Sequence, residues 1–336
     1  MDYPQLKEAS VESKRVLLRV DLDVPIENGE VKDASRLESF IPTVKWLLEK
    51  QASQVFLAGH MGRFEEGKES LSTKELLPVL EKLLEEKIAF GEEKKDGVRV
   101  NLLENLRATS AEEENDSEFA KKLASLADIY VNEAFASAHR KHASIVGIPK
   151  IIPGYLGLRF ADEVKNLGRV WENPKHPVMI LLSGVKEDKL DYLEDLKSLA
   201  DRVLVAGRLP LFLGDEYEDA KVLVARLLQD HEDITIHSME AFEREIAGAG
   251  TIVVSGPMGK YEEEGHRQGT KRVLAAVADS SAFKIAGGGD TEAAITLFGL
   301  TDKFDWISTG GGAMLEFLTM KTLPGLEVLV VSSPKS

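Results

Sequence analysis

Residues 283–298 read FKIAGGGDTEAAITLF, and this short stretch joins three kinds of sequence. Residues 283–286 form an apolar run with the length of a buried strand, and residues 291–298 have the apolar spacing of a helix. Glycine loses much conformational freedom on folding, so three consecutive glycines between a strand and a helix need a physical reason. A flexible turn is one explanation, and the close approach of a ligand to the backbone is the other.

The same strand-and-helix unit recurs along the chain. Short apolar, β-branched runs predict buried strands at residues 15–20, 54–58, 100–103, 128–131, 178–182, 202–206, 251–254, 283–286 and 304–308. Helical apolar spacing separates them at residues 39–50, 73–86, 117–124, 191–200, 270–278 and 291–298. Such alternation predicts an α/β fold with mostly parallel sheets covered by helices. Residues 156–171 predict one amphipathic helix between two groups of strands, so we expect two α/β domains joined by that helix.

Composition excludes several classes of protein. The chain has 336 residues, 43% of them hydrophobic, which is enough for two domains with their own cores. Its net charge of -15 argues against a duplex nucleic-acid binder, and the absence of cysteine excludes disulfides, thiolate nucleophiles and cysteine-bound metals. No secretory signal and no apolar run of about 20 residues is visible, so we expect a cytoplasmic protein without a membrane segment.

In the first half of the chain, charged side chains follow the predicted strands. One arginine at such a position is usually a surface residue, and one histidine is more often structural than functional. Several arginines converging with a histidine suggest a small, multiply anionic substrate, because guanidinium groups bind phosphate and carboxylate oxygens in pairs. The residues concerned are Asp21, Asp23, Arg36, His60, Arg63, Arg107 and Arg140.

In the second half, glycines take the place of the arginines after the strands. A strand, glycines and then a helix start expose backbone N–H groups at the positive end of a helix dipole, which is an arrangement that binds anions. One triple glycine is equally compatible with a flexible loop, but two of them in this position favour phosphate binding. They are Gly287, Gly288 and Gly289, and Gly310, Gly311 and Gly312. Asp290 and Thr291 could cap the following helix, and Asp290 could instead hold Mg2+.

An anion pocket in one half and a phosphate cradle in the other suit phosphoryl transfer, which depends on alignment and charge neutralisation. Two domains closing over their substrates would also exclude water. The common P-loop and GxGxxG patterns are both absent, so they do not identify the nucleotide.

Seven segments of the sequence resemble the phosphoglycerate kinase family: VLLRVDLDVPIENGEV, GHMGR, LLENLR, YVNEAFASAHRKHAS, SGPMGKYE, AGGGDTEAA and ISTGGGAMLEFL. The resemblance covers nearly the whole chain. It implies two Rossmann-like parallel-sheet domains joined by a hinge helix. It also implies reversible, magnesium-dependent transfer of the γ-phosphoryl group of ATP to the carboxylate of 3-phosphoglycerate, giving 1,3-bisphosphoglycerate and ADP. The implied partners are these small molecules, and we expect a monomer that binds neither nucleic acid nor membranes.

The resemblance also implies roles for individual residues. Arg36, Lys186, Lys189, Gly288 and Gly311 would be catalytic, and Asp21, Asp23, Arg36, His60, Arg63, Arg107 and Arg140 would bind the acceptor. Nucleotide binding would fall to Lys186, Lys189, Glu262, Gly287, Gly288, Gly289, Asp290, Thr291, Gly310, Gly311 and Gly312, with Asp290 near the metal. The expected domains are residues 1–155 for the acceptor, 156–173 for the interdomain helix, 174–313 for the nucleotide, and 314–336 returning towards the N-terminal domain.

The chain departs from the family pattern at several positions. Asp23 stands where the family has Asn, Glu133 where it has Asp, and one residue fewer separates Lys186 from Lys189. The stretch from Ala206 to Ser255 is several dozen residues shorter than in the family, so we expect a trimmed adenine side. These departures leave two alternatives open: a related kinase acting on a different acidic acceptor, and a catalytically silent nucleotide-binding relative.

Overall fold

The computed structural model describes residues 3–27, 29–67 and 70–332, with the backbone alone at residues 331–332. The strands are β1 (Arg15–Arg19), β2 (Ile26–Glu27), β3 (Glu30–Val31), β4 (Gln54–Ala58), β5 (Ile88–Phe90), β6 (Val100–Leu102), β7 (Ile129–Asn132), β8 (Gly154–Leu156), β9 (Val178–Gly184), β10 (Arg202–Gly207), β11 (Val222–Val224), β12 (Thr251–Ser255), β13 (Phe283–Gly287) and β14 (Trp306–Ser308). The α-helices are α1 (Ser35–Glu49), α2 (Leu77–Leu84), α3 (Ser117–Ser125), α4 (Leu158–Glu172), α5 (Leu193–Leu199), α6 (Leu209–Leu213), α7 (Ile236–Ala247), α8 (Gln268–Asp279), α9 (Gly289–Leu297), α10 (Gly311–Met320) and α11 (Pro324–Ser332).

The chain forms two compact units. The first extends to Val164 and includes the chain again from Thr322, and the second runs from Lys165 to Lys321. The chain passes from one unit to the other within α4 and returns before α11. The predicted domain bounds stay predictions, and their outermost residues, 1–2 and 333–336, lie outside the described residues.

Each unit contains a six-stranded parallel sheet. The strand order is β5-β6-β4-β1-β7-β8 in the first unit and β11-β10-β9-β12-β13-β14 in the second. The strands of each sheet pair in parallel, whereas β2 and β3 form a separate antiparallel hairpin. The predicted α/β class with two parallel-sheet domains is therefore confirmed.

The period-two alternation of β1 shows why both faces of the first sheet are covered. Val16 and Leu18 pack in a core with Phe40 of α1, and Leu17 packs on the other face with Leu123 of α3. Apolar side chains on both faces are typical of parallel strands between helices. The same arrangement, with central strands buried along their length, is found in the second unit.

The predicted elements agree with the structure best at the sheet centres. β5, β8 and β11 were not predicted; each has three residues and lies at the edge of its sheet. Three-residue strands carry few apolar residues, so their periodic signal is weak; β14, equally short and also at an edge, falls within the strand predicted at residues 304–308. Two predicted helices, at 73–86 and 191–200, begin as 3-10 turns, Thr73–Leu76 and Glu187–Tyr192, before α2 and α5. Helix α7 was also not predicted.

The start of α4 is fixed by Glu133, which follows β7. The Glu133 carboxylate accepts hydrogen bonds from the N–H groups of Arg159 (3.1 Å) and Phe160 (2.9 Å), and from the hydroxyl of Thr43 on α1. A Cβ at Gly157 would overlap this carboxylate, so the preceding position has room only for glycine. Burial raises the pKa of Glu133 to about 7, although the hydrogen bonds act in the opposite direction.

Candidate active site

The charged residues predicted in the first unit gather at one edge of its sheet. They follow β6, β4, β1 and β7, which are consecutive neighbours in the sheet. The carboxyl ends of parallel strands lie at the same edge, and this is where open α/β sheets bind ligands. Asp21, His60, Arg107 and Arg140 are brought to this edge by the strands that precede them.

A buried arginine, Arg19 at the end of β1, forms hydrogen bonds with residues at this edge of the sheet. It is 0% exposed, and its Nε donates to the Ser144 hydroxyl at 2.8 Å. Ser144 in turn donates through its hydroxyl (2.5 Å) and its N–H (2.9 Å) to the carboxylate of Glu112. Nη2 of Arg19 lies 2.8 Å from Nδ1 of His60. A buried guanidinium needs this set of partners because leaving it unpaired would be strongly destabilising.

Arg19, Ser144 and Glu112 were not among the predicted site residues. One signal was present in the sequence, because Arg19 interrupts the apolar run RVLLRV at a position that a parallel strand buries. A charge at such a position indicates a buried polar partner. The partners themselves, Ser144 and Glu112, are distant in sequence and carry no local signal.

The positive charge of this edge comes from guanidinium groups and not from imidazoles. Arg107 is buried, donates through Nη1 to the carbonyl of Gly62, and has its Nε 2.8 Å from the Glu113 carboxylate. Burial and the neighbouring arginines 19, 107 and 140 lower the pKa of His60 well below its ordinary value. The same causes lower the pKa of His142 to about 3, so both imidazoles are neutral near pH 7.

The remaining predicted acceptor residues differ in how firmly they are placed. Asp21 is buried and accepts a hydrogen bond from the Ser137 hydroxyl at 3.2 Å. Asp23 accepts from the N–H of Gly62 at 2.9 Å, and its carbonyl accepts from Nη1 of Arg36 at 3.0 Å. This hydrogen bond ties the half-buried Arg36, at the start of α1, to the same loop. Arg63 is exposed beyond the end of β4.

In the second unit, the two predicted lysines occupy different environments. Lys189 folds back onto the end of β9 and donates to the carbonyl of Ser183 at 2.6 Å. Burial lowers its pKa, while Asp290 and Asp188 act in the opposite direction. Lys186 is exposed, directly before the 3-10 turn Glu187–Tyr192.

The two triple-glycine loops pack against each other, and their glycines meet different needs. A Cβ at Gly287 would overlap Met314. Gly288 has φ +102°, a backbone conformation that residues other than glycine rarely adopt. A Cβ at Gly311 would lie 2.9 Å from Cα of Gly288. Gly289 and Gly312 have open space around the position of a Cβ. Packing within the protein therefore accounts for Gly287 and Gly311, and backbone conformation accounts for Gly288, whereas Gly289 and Gly312 lie where a ligand could approach.

Polar residues around these loops complete the second unit's candidate site. The single O–H donor of Thr291 is used within the protein, because the hydroxyl donates to the carbonyl of Gly287 (2.9 Å) and also accepts from the N–H of Gly256 (2.9 Å). It ties the loop after β12 to the loop after β13, which is a structural role. Asp290 is exposed in the first turn of α9, and Glu262 is exposed after β12.

Comparison with known proteins identifies the family. The sequence profile described as "Phosphoglycerate kinase" matches residues 6–214 and 212–321. The chain belongs to the phosphoglycerate kinase family. Proteins named phosphoglycerate kinase from Dictyoglomus turgidum and Thermosipho africanus are 36% and 37% identical to it; the alignments cover 96% and 97% of this chain, and 97% of each relative.

Solved structures of phosphoglycerate kinases from Coxiella burnetii and Pyrococcus horikoshii OT3 match with TM-scores of 0.83 and 0.84, at 30% and 29% identity. They cover 99% and 98% of this chain, and 100% and 98% of those chains. The phosphoglycerate kinase family carries out ATP-dependent phosphoryl transfer to 3-phosphoglycerate, and this chain is an enzyme of that family.

The comparison also locates where this chain is short for a phosphoglycerate kinase. The two profile segments overlap at residues 212–214, at the C-terminal end of α6. The alignment to the Dictyoglomus turgidum relative runs over 386 positions although this chain has 336 residues. The family segment that is absent here therefore belongs between α6 and β11, in the stretch expected to be shortened. Leu211 and Phe212 of α6 are exposed beside this break.

Proposed function

We propose that this chain transfers the γ-phosphoryl group of ATP reversibly to the carboxylate of 3-phosphoglycerate, using the residue roles that the resemblance implies. The observation that carries the proposal is the guanidinium cluster at the carboxyl edge of the first sheet. Arg107 and Arg140 meet there around a neutral His60, and Arg36 is tied to the same edge through Asp23. Fixed positive charge with hydrogen-bond donors suits a ligand bearing a phosphate and a carboxylate.

The acceptor would be bound by Arg63, Arg107, Arg140 and His60, with Asp21 and Asp23 shaping the loop after β1. Arg107 supports this role because its Nη2 is buried without a hydrogen-bond partner among the described residues. An unpaired buried guanidinium nitrogen beside Arg140 is a donor available to an anion. Arg36, whose Nη1 donates to the carbonyl of Asp23, would stabilise the phosphoryl group during transfer.

The nucleotide phosphates would lie against the N–H groups at the starts of α9 and α10, where Gly289 and Gly312 leave open space. Lys189 and the exposed Lys186 would neutralise the transferred group, Gly288 and Gly311 would shape the cradle, and Glu262 would bind the ribose. Thr291 would act by holding the loops together. Gly287 and Gly310 would complete the backbone turn before each helix.

The residues present fit Mg2+ bound together with the nucleotide. Within residues 3–27, 29–67 and 70–332, the structure contains no cluster of three or more Asp, Glu or His side chains that could hold a metal ion. Asp290 supplies one exposed carboxylate beside the glycine loop, and Mg2+ commonly combines one or two carboxylates with phosphate oxygens. Bound there, the ion would neutralise phosphate charge during transfer.

The proposal extends to how the protein works as a whole. In this proposal the protein acts as a cytoplasmic monomer. None of the described helices is long and apolar enough to cross a membrane.

The test is a coupled assay with 3-phosphoglycerate, Mg2+ and ATP, repeated with GTP. Arg36→Ala and Lys189→Ala should each lower kcat by about 100-fold or more, as expected for removal of a group that stabilises transition-state charge. Arg99→Ala is a matched control, because Arg99 precedes β6 and so lies at the opposite edge of the sheet. Exposed Lys271 provides the control for Lys189.

Three results would contradict the proposal in different ways. Absent turnover with saturable binding of 3-phosphoglycerate in calorimetry would indicate a catalytically silent relative. Absent turnover and absent acceptor binding, with retained magnesium-nucleotide binding, would indicate a kinase for another acidic acceptor. Full activity in both Arg36→Ala and Lys189→Ala would overturn the assigned roles.

A further inference from the structure

We propose that Arg19 is a positioning residue that fixes His60 in the neutral tautomer carrying its proton on Nε2. In this form His60 serves the acceptor site as a hydrogen-bond donor and not as a cation or a base. The proposal rests on the proposed function only for the identity of the ligand, because the tautomer is a property of the protein alone.

The tautomer follows from the chemistry of the partner. Arginine has five N–H donors and no acceptor, and it stays protonated in proteins. Its Nη2 lies 2.8 Å from Nδ1 of His60, within hydrogen-bond distance. Nδ1 must therefore accept this hydrogen bond with its lone pair. In a neutral imidazole the single proton is then on Nε2, for which the structure gives no hydrogen-bond partner among the described residues.

The charged surroundings also exclude the doubly protonated form. Arg19 approaches His60 from β1, Arg107 from the turn after β6, and Arg140 and His142 from the loop after β7. Burial and these cations lower the pKa of His60 well below its ordinary value. An imidazolium would also place an Nδ1–H against the N–H of Arg19. Burial, the cations and the donor facing Nδ1 all favour the neutral form of His60.

Arg19 is itself held in place, so that the constraint on His60 is built into the fold. Its Nε is bound to Ser144, which is bound in turn to the buried Glu112, and Nη1 donates to the carbonyl of Val20. At 0% exposure Arg19 has no surface with which to touch a substrate. It acts through His60, which is why we class it as a positioning residue.

The role has a direct chemical consequence for the acceptor site. A neutral N–H donor contributes to anion binding without changing the charge of the site as pH changes near neutrality. The arginines around His60 supply the fixed positive charge, and His60 supplies one directed hydrogen-bond donor. The opposite tautomer would turn a lone pair towards an anion, which is repulsive.

The deciding measurement is a two-bond 1H–15N correlation spectrum of the 15N-labelled full chain at neutral pH without ligand. His60, assigned by the loss of its signals in His60→Gln, should show a protonated Nε2 and an unprotonated Nδ1. A protonated Nδ1, alone or together with a protonated Nε2, would overturn the proposal. This result is independent of catalysis, so absent turnover with the expected tautomer would count against the proposed function only.

Variants of Arg19 test whether this residue sets the tautomer. Arg19→Met removes the donor, so the spectrum should show a contribution from the Nδ1–H form. The KM for 3-phosphoglycerate should rise about 10-fold while that for ATP stays unchanged, as expected when a hydrogen bond to a charged ligand is weakened. Arg19→Lys gives Nδ1 of His60 a partner that can only donate, so this variant should show the Nε2–H form, as the wild type does. Exposed His237 on α7 should be unaffected throughout.

An unchanged tautomer and unchanged KM in folded Arg19→Met would show that Arg19 does not position His60. Circular dichroism establishes whether that variant folds. If it does not, the wild-type spectrum and the Arg19→Lys variant still decide the question, because a protonated Nδ1 in either protein contradicts the proposed donor direction.

Discussion

The anion sites that we propose for the two units use opposite kinds of chemical group. In the first, long charged side chains converge and are fixed by buried hydrogen bonds, such as those joining Arg19, Ser144 and Glu112. In the second, the proposed donors are backbone N–H groups of loops whose glycines pack closely, as Gly288 and Gly311 do. One site therefore depends on which side chains are present, and the other depends on which are absent.

This difference predicts different responses to mutation. Replacing a side chain in the first unit should change affinity for the acceptor strongly while leaving the loops in place. Adding a side chain in the second unit should displace the backbone before it touches a ligand. Glu133 is an exception to this rule in the first unit, because its buried carboxylate holds the backbone at the start of α4.

The largest effect is expected from Arg107, which is buried and whose Nη2 has no hydrogen-bond partner in the part of the chain that the structure describes. Arg107→Met should lower kcat/KM for 3-phosphoglycerate by about 100- to 1,000-fold, the range for removal of a charge-stabilising donor. The dissociation constant of ATP, measured by calorimetry, should not change. Arg99→Met removes an arginine from the opposite edge of the same sheet and should have nearly wild-type kinetics. A parallel loss of ATP affinity in Arg107→Met would show that its role is general folding.

The next effect concerns Glu133 and the pH dependence of stability. Its pKa of about 7 in the folded state lies above its ordinary value of 4.5, so the folded state binds this proton more tightly than the unfolded state. The resulting stabilisation is complete below about pH 4.5 and is lost as pH rises through about 7. At 1.36 kcal/mol for each pH unit between the two values, it amounts to about 3 kcal/mol.

The variant Glu133→Gln cannot titrate at this position, which isolates the effect. Its free energy of unfolding relative to the wild type, from denaturant titrations, should rise by about 3 kcal/mol between pH 4.5 and pH 8. Glu118→Gln, at an exposed position on α3, should show no such trend. A flat difference for Glu133→Gln would mean that the hydrogen bonds from Arg159 and Phe160 keep the carboxylate ionised in the folded state.

A smaller effect separates the glycines required by packing from those facing open space. Gly311→Ala would place a Cβ 2.9 Å from the backbone of Gly288, and we expect it to lower the free energy of unfolding by about 1–3 kcal/mol. Gly312→Ala has nothing within 4 Å and lies in the first turn of the same helix, α10. It should leave stability unchanged or raise it by up to about 1 kcal/mol. Equal destabilisation in thermal unfolding would remove the distinction.

The sequence allowed the fold to be predicted where the apolar pattern is strong. Central strands such as β1 and β4 are buried on both faces and stand out as apolar runs. Edge strands such as β5 and β8 do not, because their residues are few and their pairing is one-sided. The switch between the units inside α4 also has no local signal, since it depends on which side chains pack on each side.

The sequence predicted different parts of the candidate site in the two units. His60 and Arg107 could be predicted because they follow predicted strands, and the carboxyl ends of parallel strands lie at the same edge of a sheet. The network beneath them was not predictable, since Ser144 and Glu112 meet Arg19 only through tertiary contacts. The glycine loops were recognised, but a ligand was given as the reason for all of them. Packing accounts for Gly287 and Gly311, a positive φ accounts for Gly288, and Thr291 uses its hydroxyl to join two loops.

The smallest effect concerns Asp23, which stands where the family has Asn. Its Oδ1 accepts from the N–H of Gly62, a hydrogen bond that an Asn side chain can also make. Asp23→Asn should therefore keep the loop and remove one negative charge from beside the acceptor cluster. The KM for 3-phosphoglycerate should fall by about two- to five-fold, the scale of one partly screened charge interaction, and that for ATP should not change. Asp96→Asn, at an exposed position in the same unit, is the control. A higher KM in Asp23→Asn would contradict this prediction, because it would indicate that the Asp23 carboxylate favours binding of 3-phosphoglycerate.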